Sequence, residues 1–217
     1  MCRFLIIIAE KQFDATSHLN SFAELCKNSE EFQGDGWGVC YPAPKQEGWK
    51  CHRSIKPIWQ EQHLFDSLPA TKILVAHARS SFQDRGPNIE FTQPFVNEKL
   101  VFVFNGEISG VKIRARGNNG AQKLFTLIQQ NSSNGYKEAL QILKRLIEDN
   151  SEHIKAMNVG LLHQNKIYVL CKYSERPNYF GLHYYNGKDE NEMQIVCSQP
   201  YGSYDFKPIP NNQVLVI

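Results

Sequence analysis

Met1-Cys2-Arg3-Phe4-Leu5-Ile6-Ile7-Ile8 opens the chain with a thiol one residue from the start and a strand directly behind it. If Met1 is removed, Cys2 carries two reactive groups. Its thiolate is a nucleophile, and its free α-amine, with a pKa near ~8, is a base within reach of its own side chain. Cys is small enough at the second position for methionine aminopeptidases to expose that amine without a propeptide. The apolar run from Phe4 to Ala9 is shorter than the ~7–15 residues of a secretion signal, and Glu10-Lys11 ends it without a small-residue cleavage site. A Cys at position 2 carries little meaning alone, so its weight depends on the rest of the chain.

Working outward, the 217 residues fit one large domain or two small ones, and 41% hydrophobic content is enough for a buried core. No internal repeat, low-complexity tract or linker divides the chain, and it reads as a single domain over 1–217. With 24 Lys and Arg against 22 Asp and Glu, charge gives no reason to invoke nucleic acid or a membrane surface. No apolar run approaches the ~20 residues of a membrane span. The six cysteines (Cys2, Cys26, Cys40, Cys51, Cys171, Cys197) contain no C-x-x-C pair. They point away from a zinc ribbon or a dense disulfide framework and towards mostly reduced core thiols in a cytoplasmic protein.

Apolar spacing at Leu19, Phe22, Ala23 and Cys26 predicts a helix over 17–31 with Thr16 or Ser17 as N-cap. Three glycines in Gly34-Asp35-Gly36-Trp37-Gly38 then allow a sharp turn or a close approach. A strand pair is expected at 39–41 and 49–55 around a Pro/Lys/Gly loop, followed by a short helix over 58–68. Ile73 to Arg79 reads as a buried strand ending in a charge, and 80–98 as a long polar loop of the kind that often carries function. Leu100 to Phe104 is a strand bounded by Asn105-Gly106. Helices over 121–130 and 136–150 follow, then strands at 158–163, 166–173, 182–185, 193–198 and 213–217, with turns at Asn165-Lys166 and Asn186-Gly187. Strands, a central helix pair and strands again predict an α+β fold with antiparallel sheets.

Cys2, Gly34 to Gly38, Ala76-His77-Ala78-Arg79-Ser80-Ser81, Thr92-Gln93-Pro94-Phe95 and Phe104-Asn105-Gly106-Glu107-Ile108 occur in an order that resembles class II glutamine amidotransferases of the compact, stand-alone type. Cys197-Ser198-Gln199-Pro200 and Ile209 to Val216 are similar to that family's last strands, so the resemblance spans nearly the whole chain. It implies a four-layer αββα sandwich, the N-terminal-nucleophile hydrolase fold. It also implies Cys2 as nucleophile and base, Asn105 and Gly106 as oxyanion donors, Arg79 on the substrate α-carboxylate with Ser80 and Ser81 assisting, and Gly36 and Trp37 beside the nucleophile. Guanidinium geometry suits a carboxylate, and a preorganised amide pair suits an oxyanion. On composition alone Asn105-Gly106 reads as a plain hairpin turn, like Asn134-Gly135 and Asn186-Gly187, and Arg79 as the partner of a core carboxylate. The ordered neighbours favour the other reading. His77, with no second ligand suitably spaced, reads as a packed, hydrogen-bonded histidine rather than a metal ligand.

The chain also departs from the pattern. Gln93 and Phe104 stand where the family usually has His, and Gly120 and Gln122 where it carries an Asp and a Glu, the Asp holding the substrate ammonium. The expected activity is cleavage of the side-chain amide of glutamine, or of a γ-glutamyl compound, through a Cys2 thioester, with no cofactor or metal. Selectivity is expected to shift towards substrates with an uncharged α-nitrogen. Any ammonia acceptor would be a separate subunit. The alternative is a degenerate scaffold of the same fold that binds a ligand or partner without turnover.

Overall fold

The first strand, β1 (Arg3–Phe13), is apolar on both faces and is hydrogen-bonded on both edges. Leu5, Ile7 and Ala9 point to one side, Phe4, Ile6 and Ile8 to the other, so each face needs its own covering layer. The computed structural model, which describes residues 1–43, 47–81, 86–187 and 192–217, supplies both layers.

The chain continues through α1 (Thr16–Lys27), β2 (Trp37–Pro42), β3 (Trp49–Ser54), β4 (Thr71–Ala78), β5 (Phe95–Val96), β6 (Leu100–Ser109), α2 (Gly120–Gln130) and α3 (Tyr136–Asn150). It closes with β7 (His153–His163), β8 (Lys166–Cys171), α4 (Pro177–Phe180), β9 (His183–Asn186), β10 (Gln194–Cys197), β11 (Lys207–Pro208) and β12 (Gln213–Val216). One antiparallel sheet has the order β11-β9-β10-β1-β4-β2-β3 and the other β12-β8-β7-β6-β5. Leu19, Phe22, Ala23 and Cys26 of α1 cover the outer face of the first sheet. Leu124, Leu127 and Ile128 of α2, with Leu140, Leu143 and Ile147 of α3, cover the outer face of the second. Between the sheets lie Phe4, Ile6, Val75, Val101, Val103 and Val169. The architecture is the expected αββα sandwich. The sheets approach so closely at Gly160 that an added Cβ would lie 2.5 Å from Ile6 Cδ1 and 3.0 Å from Val103 Cγ2.

Several local expectations are corrected. The first helix ends at Lys27 rather than 31, and its start is held by Asp14, whose Oδ1 accepts from the Thr16 N–H at 2.9 Å; neither Thr16 nor Ser17 caps it. The single helix expected over 58–68 is two 3-10 segments, Ile58–Gln60 and Gln62–Ser67, which turn Ile58 and Phe65 into the α1-side core. The turn expected at Asn165-Lys166 falls one residue earlier, on Gln164 and Asn165, both with positive φ as a tight hairpin requires. Cys40 and Cys51 sit opposite one another in the β2–β3 ladder and are joined by a disulfide, while Cys2, Cys26, Cys171 and Cys197 are free. Parts of two expected loops, 44–46 and 82–85, lie outside the described residues. No helix among the described residues is long and apolar enough to cross a membrane.

Asn105-Gly106 is not a turn. β6 runs straight through it to Ser109, pairing Asn105 with Asn158 and Gly106 with Met157. The other edge of β6 loses its partner after Phe102, where β5 ends, and a side chain replaces the missing strand. Gln93 Oε1 accepts from the Phe104 N–H at 2.6 Å, and its Nε2 donates to the Phe104 carbonyl at 3.3 Å. His77, fully buried between the sheets, places Nε2 3.2 Å from that same carbonyl. A carbonyl only accepts, so Nε2 carries the ring proton. Burial drives the imidazole pKa down to about 3 against the modest help of this bond, with the Arg79 charge lowering it further.

Two outcomes follow from this support. Gln93→Leu strips the partner from a buried backbone N–H, and urea denaturation is expected to show a loss of about 1–3 kcal/mol. His77 and His18, whose pKa burial lowers to about 4, are neutral in the fold and near 6.5 when unfolded. The unfolded chain therefore binds more protons below that value. Stability is complete above about pH 6.5 and falls as pH drops towards 4, and NMR of the two rings is expected to show no inflection between pH 5 and 8.

Candidate active site

Cys2 precedes β1 by one residue and belongs by alternation to the inward row of Phe4, Ile6 and Ile8. Its place can be triangulated. Met1 packs on Ala156, the partner of Glu107, while Phe4 lies near Gly160, the partner of Val103. Cys2 lies between these two in sequence, and it shares a cavity with Gly106, although Asn105 itself does not line that cavity. Its Sγ accepts from the Ser80 N–H at 3.4 Å and lies 3.6 Å from the Ser80 carbonyl. Burial pushes the thiol above its ordinary pKa, opposed by the N-terminal ammonium, the Ser80 N–H and Arg79. At neutral pH the sulfur therefore holds its proton, and a nearby base is needed to take it.

Asn105 continues the inward row of Val101 and Val103 and is fully buried. Its neighbour Asn158 is satisfied, donating to the Phe180 carbonyl at 2.6 Å and accepting from the Lys172 N–H at 3.0 Å. Asn105 is not, since neither its Nδ2 nor its Oδ1 has a partner among the described residues. A fully buried amide with both ends unpaired costs several kcal/mol, on the order of 1–3 for each group. Gly106 must be glycine, because a Cβ there would meet the Ala156 carbonyl at 2.4 Å and the Phe104 ring at 2.5 Å.

Arg79 extends the β2–β4 pairing by one step, its N–H donating to Gly36 O at 2.8 Å and its carbonyl accepting from the Asp35 N–H at 3.0 Å. Gly36 makes this possible with φ +118° and no room for a Cβ, which would lie 2.7 Å from Ser54 O. The buried guanidinium donates to the carbonyls of Asp35 (3.2 Å) and Gly86 (2.7 Å) and to Ser81 Oγ (3.0 Å). Among the described residues no carboxylate lies within ion-pair distance of it. Asp35 spends its Oδ2 on the Ser81 N–H at 2.5 Å. Among the described residues Arg79 is therefore held by backbone carbonyls and a hydroxyl rather than by a core carboxylate.

Cys2, Arg79, Ser80, Ser81 and Gly106 line one cavity of about 340 Å3, closed further by Glu107, Asn119, Gly120 and the apolar side chains around α2. Trp37 is a correction. Its ring faces the α1-side core against Phe65, its Nε1 donates to Glu61 Oε2 at 2.9 Å, and it takes no part in the cavity. Gly36 acts through its backbone on Arg79 and does not line the cavity either. A larger cleft of about 880 Å3 at the far end of β1, around Ile8, Glu10 and Lys72, contains none of these residues.

The surroundings of the terminus escaped sequence reasoning. The Met1 ammonium pairs with Glu31 and bonds Ser80 Oγ at 3.1 Å; Glu31 is shared with Arg176 at 2.6 Å, and the Met1 carbonyl accepts from Gln33 Nε2 at 2.5 Å. Glu31 and Gln33 come from an aperiodic stretch and Arg176 from a left-handed residue before α4, so no spacing marks them.

No family model matches the chain, and no curated protein matches it by sequence. Solved structures do. A glutamine aminotransferase class-II domain protein from Silicibacter pomeroyi superposes with TM-score 0.65 at 13% identity, covering 100% of this chain and 94% of that one. The glutamine phosphoribosylpyrophosphate amidotransferase of B. subtilis gives TM-score 0.62 at 15% identity over 91% of this chain and 42% of the larger protein. A predicted glutamine amidotransferase from Pseudomonas aeruginosa PA01 gives 0.55 at 9% identity, over 99% and 96%. The chain has the fold of the class II glutamine amidotransferase domain.

Proposed function

We propose that the protein is an amidohydrolase that, once Met1 is removed, cleaves the side-chain amide of glutamine or of a γ-glutamyl compound through a Cys2 thioester. The observation that carries this reading is Asn105, whose buried amide is left unpaired in mid-strand directly before Gly106, a residue of the cavity that holds the thiol. A structural asparagine would be satisfied, as Asn158 is. An oxyanion donor must hold its N–H free until charge develops on the substrate.

The freed α-amine takes the thiol proton as sulfur attacks the amide carbon, and Asn105 Nδ2 with the Gly106 N–H receives the developing oxyanion. The proton passes to the leaving nitrogen, the C–N bond breaks, and ammonia or an amine departs from the γ-glutamyl thioester. Water then attacks the thioester, the amine accepts its proton and returns one to sulfur, and the acid is released. Arg79 holds the substrate carboxylate, with Ser80 and Ser81 bracing the strand end.

The scaffold reading is favoured by one observation, the Met1 ammonium seated on Glu31, which leaves no free amine beside the thiol. Intact mass decides between the two. Active protein is expected to begin at Cys2, and Cys2→Ala to abolish turnover with an unchanged melting temperature. Turnover by protein that retains Met1 would refute the amine mechanism, and the absence of turnover on any glutamine or γ-glutamyl amide by protein beginning at Cys2 would establish the scaffold.

Arg79 and Asn105 are expected to fail differently. Arg79→Ala removes a ground-state anchor and chiefly raises KM, while Asn105→Ala removes a transition-state donor and lowers kcat by roughly 10²–10³. Steady-state kinetics on the two variants separates the roles. An unchanged kcat in Asn105→Ala would remove it from the oxyanion site.

A further inference from the structure

The cavity that holds Cys2 and Arg79 does not end where a glutamine would. Beyond the polar end it continues between the strand following Gly106 and helix α2, walled by Ile108, Val111, Ile113, Ala115, Leu124 and Leu127. Val111 is 42% exposed although it is a large aliphatic side chain. The volume of about 340 Å3 falls at the lower end of the ~300–1,000 Å3 found for pockets that enclose drug-sized ligands.

The direction of this extension follows from its neighbours. The Arg79 guanidinium lies 5.9 Å from the Phe91 ring, and the adjoining Glu90 carbonyl accepts from Gln122 Nε2 at 3.0 Å. The first turn of α2 is thus joined to the Arg79 end of the cavity. At that turn Gly120 is exposed at the cavity rim, and apart from its chain neighbours and its own helix backbone no atom lies within 4 Å of where a Cβ would be. Gln122, where the family's Glu would stand, is consumed locally, its Oε1 accepting from the Asn118 N–H at 2.7 Å. Glu107 on the opposite wall is ion-paired with Lys155 at 3.4 Å. A substrate α-nitrogen is one bond from the carbon that carries the carboxylate, so a carboxylate on Arg79 places that nitrogen near this turn. It meets a guanidinium, a helix N-terminus and an apolar wall, all hostile to an ammonium.

We propose that the site takes α-N-acylated glutamine or γ-glutamyl compounds whose acyl group is an apolar chain or ring, seated against Ile113, Leu124 and Leu127 over Gly120. The assignment rests on the roles given to Cys2 and Arg79 above, and binding separates its failure from theirs. Acylation removes a charge whose one carboxylate partner lining the cavity among the described residues, Glu107, is already engaged by Lys155, and it supplies apolar surface to the wall. Each methylene buried adds to affinity, whereas a longer group on the leaving nitrogen, at the Cys2 end, adds none.

The test is calorimetric titration of Cys2→Ala protein with L-glutamine, N-acetyl-L-glutamine, N-octanoyl-L-glutamine and γ-L-glutamyl octylamide, beside kcat/KM for the same compounds on the active protein. N-octanoyl-L-glutamine is expected to bind at least about tenfold more tightly than the N-acetyl compound, and free glutamine more weakly than either. Gly120→Phe fills the open space, and Ile113→Asn makes the wall polar; either is expected to cut the octanoyl advantage to about threefold or less. Chain-length dependence in binding without turnover would leave the pocket assigned and refute the amide chemistry alone. Equal binding of acetyl and octanoyl compounds, tightest binding of free glutamine, or a tenfold gain carried by the octylamide instead would overturn the assignment.

Discussion

The structure depends on one strand being apolar on both faces. β1 cannot leave either Leu5-Ile7 or Phe4-Ile6-Ile8 in water, so it occupies the interior of its sheet with β10 on one edge and β4 on the other, and needs a helix layer outside and a second sheet inside. Because Cys2 immediately precedes it, the thiol is placed by the most constrained part of the fold rather than by a loop. β4 delivers Arg79 from the neighbouring position in the same sheet, and β6 delivers Asn105 from the sheet opposite. Three elements far apart in sequence thereby meet at one end of the inter-sheet core.

That meeting requires β6 to stay regular past the point where β5 stops. Gln93 is the device that achieves it, a side-chain amide presenting the donor and acceptor that a strand would have presented to Phe104. His77 adds a second donor to the same carbonyl from the other sheet. The two residues that stand where the family has different ones, Gln93 and Phe104, therefore form one unit. Substituting Gln93 would strip the Phe104 N–H of its partner, whereas the side chain at 104 takes no part in these bonds.

Much of this was legible in the sequence because it rests on periodicity. The apolar runs of β1 and β4 and the helical spacing in α1, α2 and α3 pointed to the elements and to the α+β class, while the layering, and the choice of Cys2, Arg79 and Asn105 as candidates, came only through the family resemblance of the ordered motifs. What escaped had no local signature. Asn105-Gly106 has the residues of a hairpin and becomes strand because β7 offers it a full-length partner, which is tertiary context overriding turn chemistry. Trp37 follows a site-like glycine run yet faces the outer core, since its side depends on the register of β2 against β4, which spacing does not give. Cys40 and Cys51 become partners for the same reason, through a β2–β3 ladder whose register sets them opposite one another.

The buried seat of Met1 imposes an order of events. Its side chain packs on Ala156, Tyr179 and Phe180, and its amine and carbonyl are held by Glu31, Ser80 and Gln33, so a finished fold offers an aminopeptidase nothing to grip. An enzyme that works through the Cys2 amine must lose Met1 before that seat is built. The floor of the seat is supplied by residues 156 to 180, and β1 gains its second edge only when β10 emerges. In a chain translated from Met1 at ~5–20 residues per second, those partners would follow the first residue by roughly 10–40 s, and that delay would be the interval in which the seat is still open.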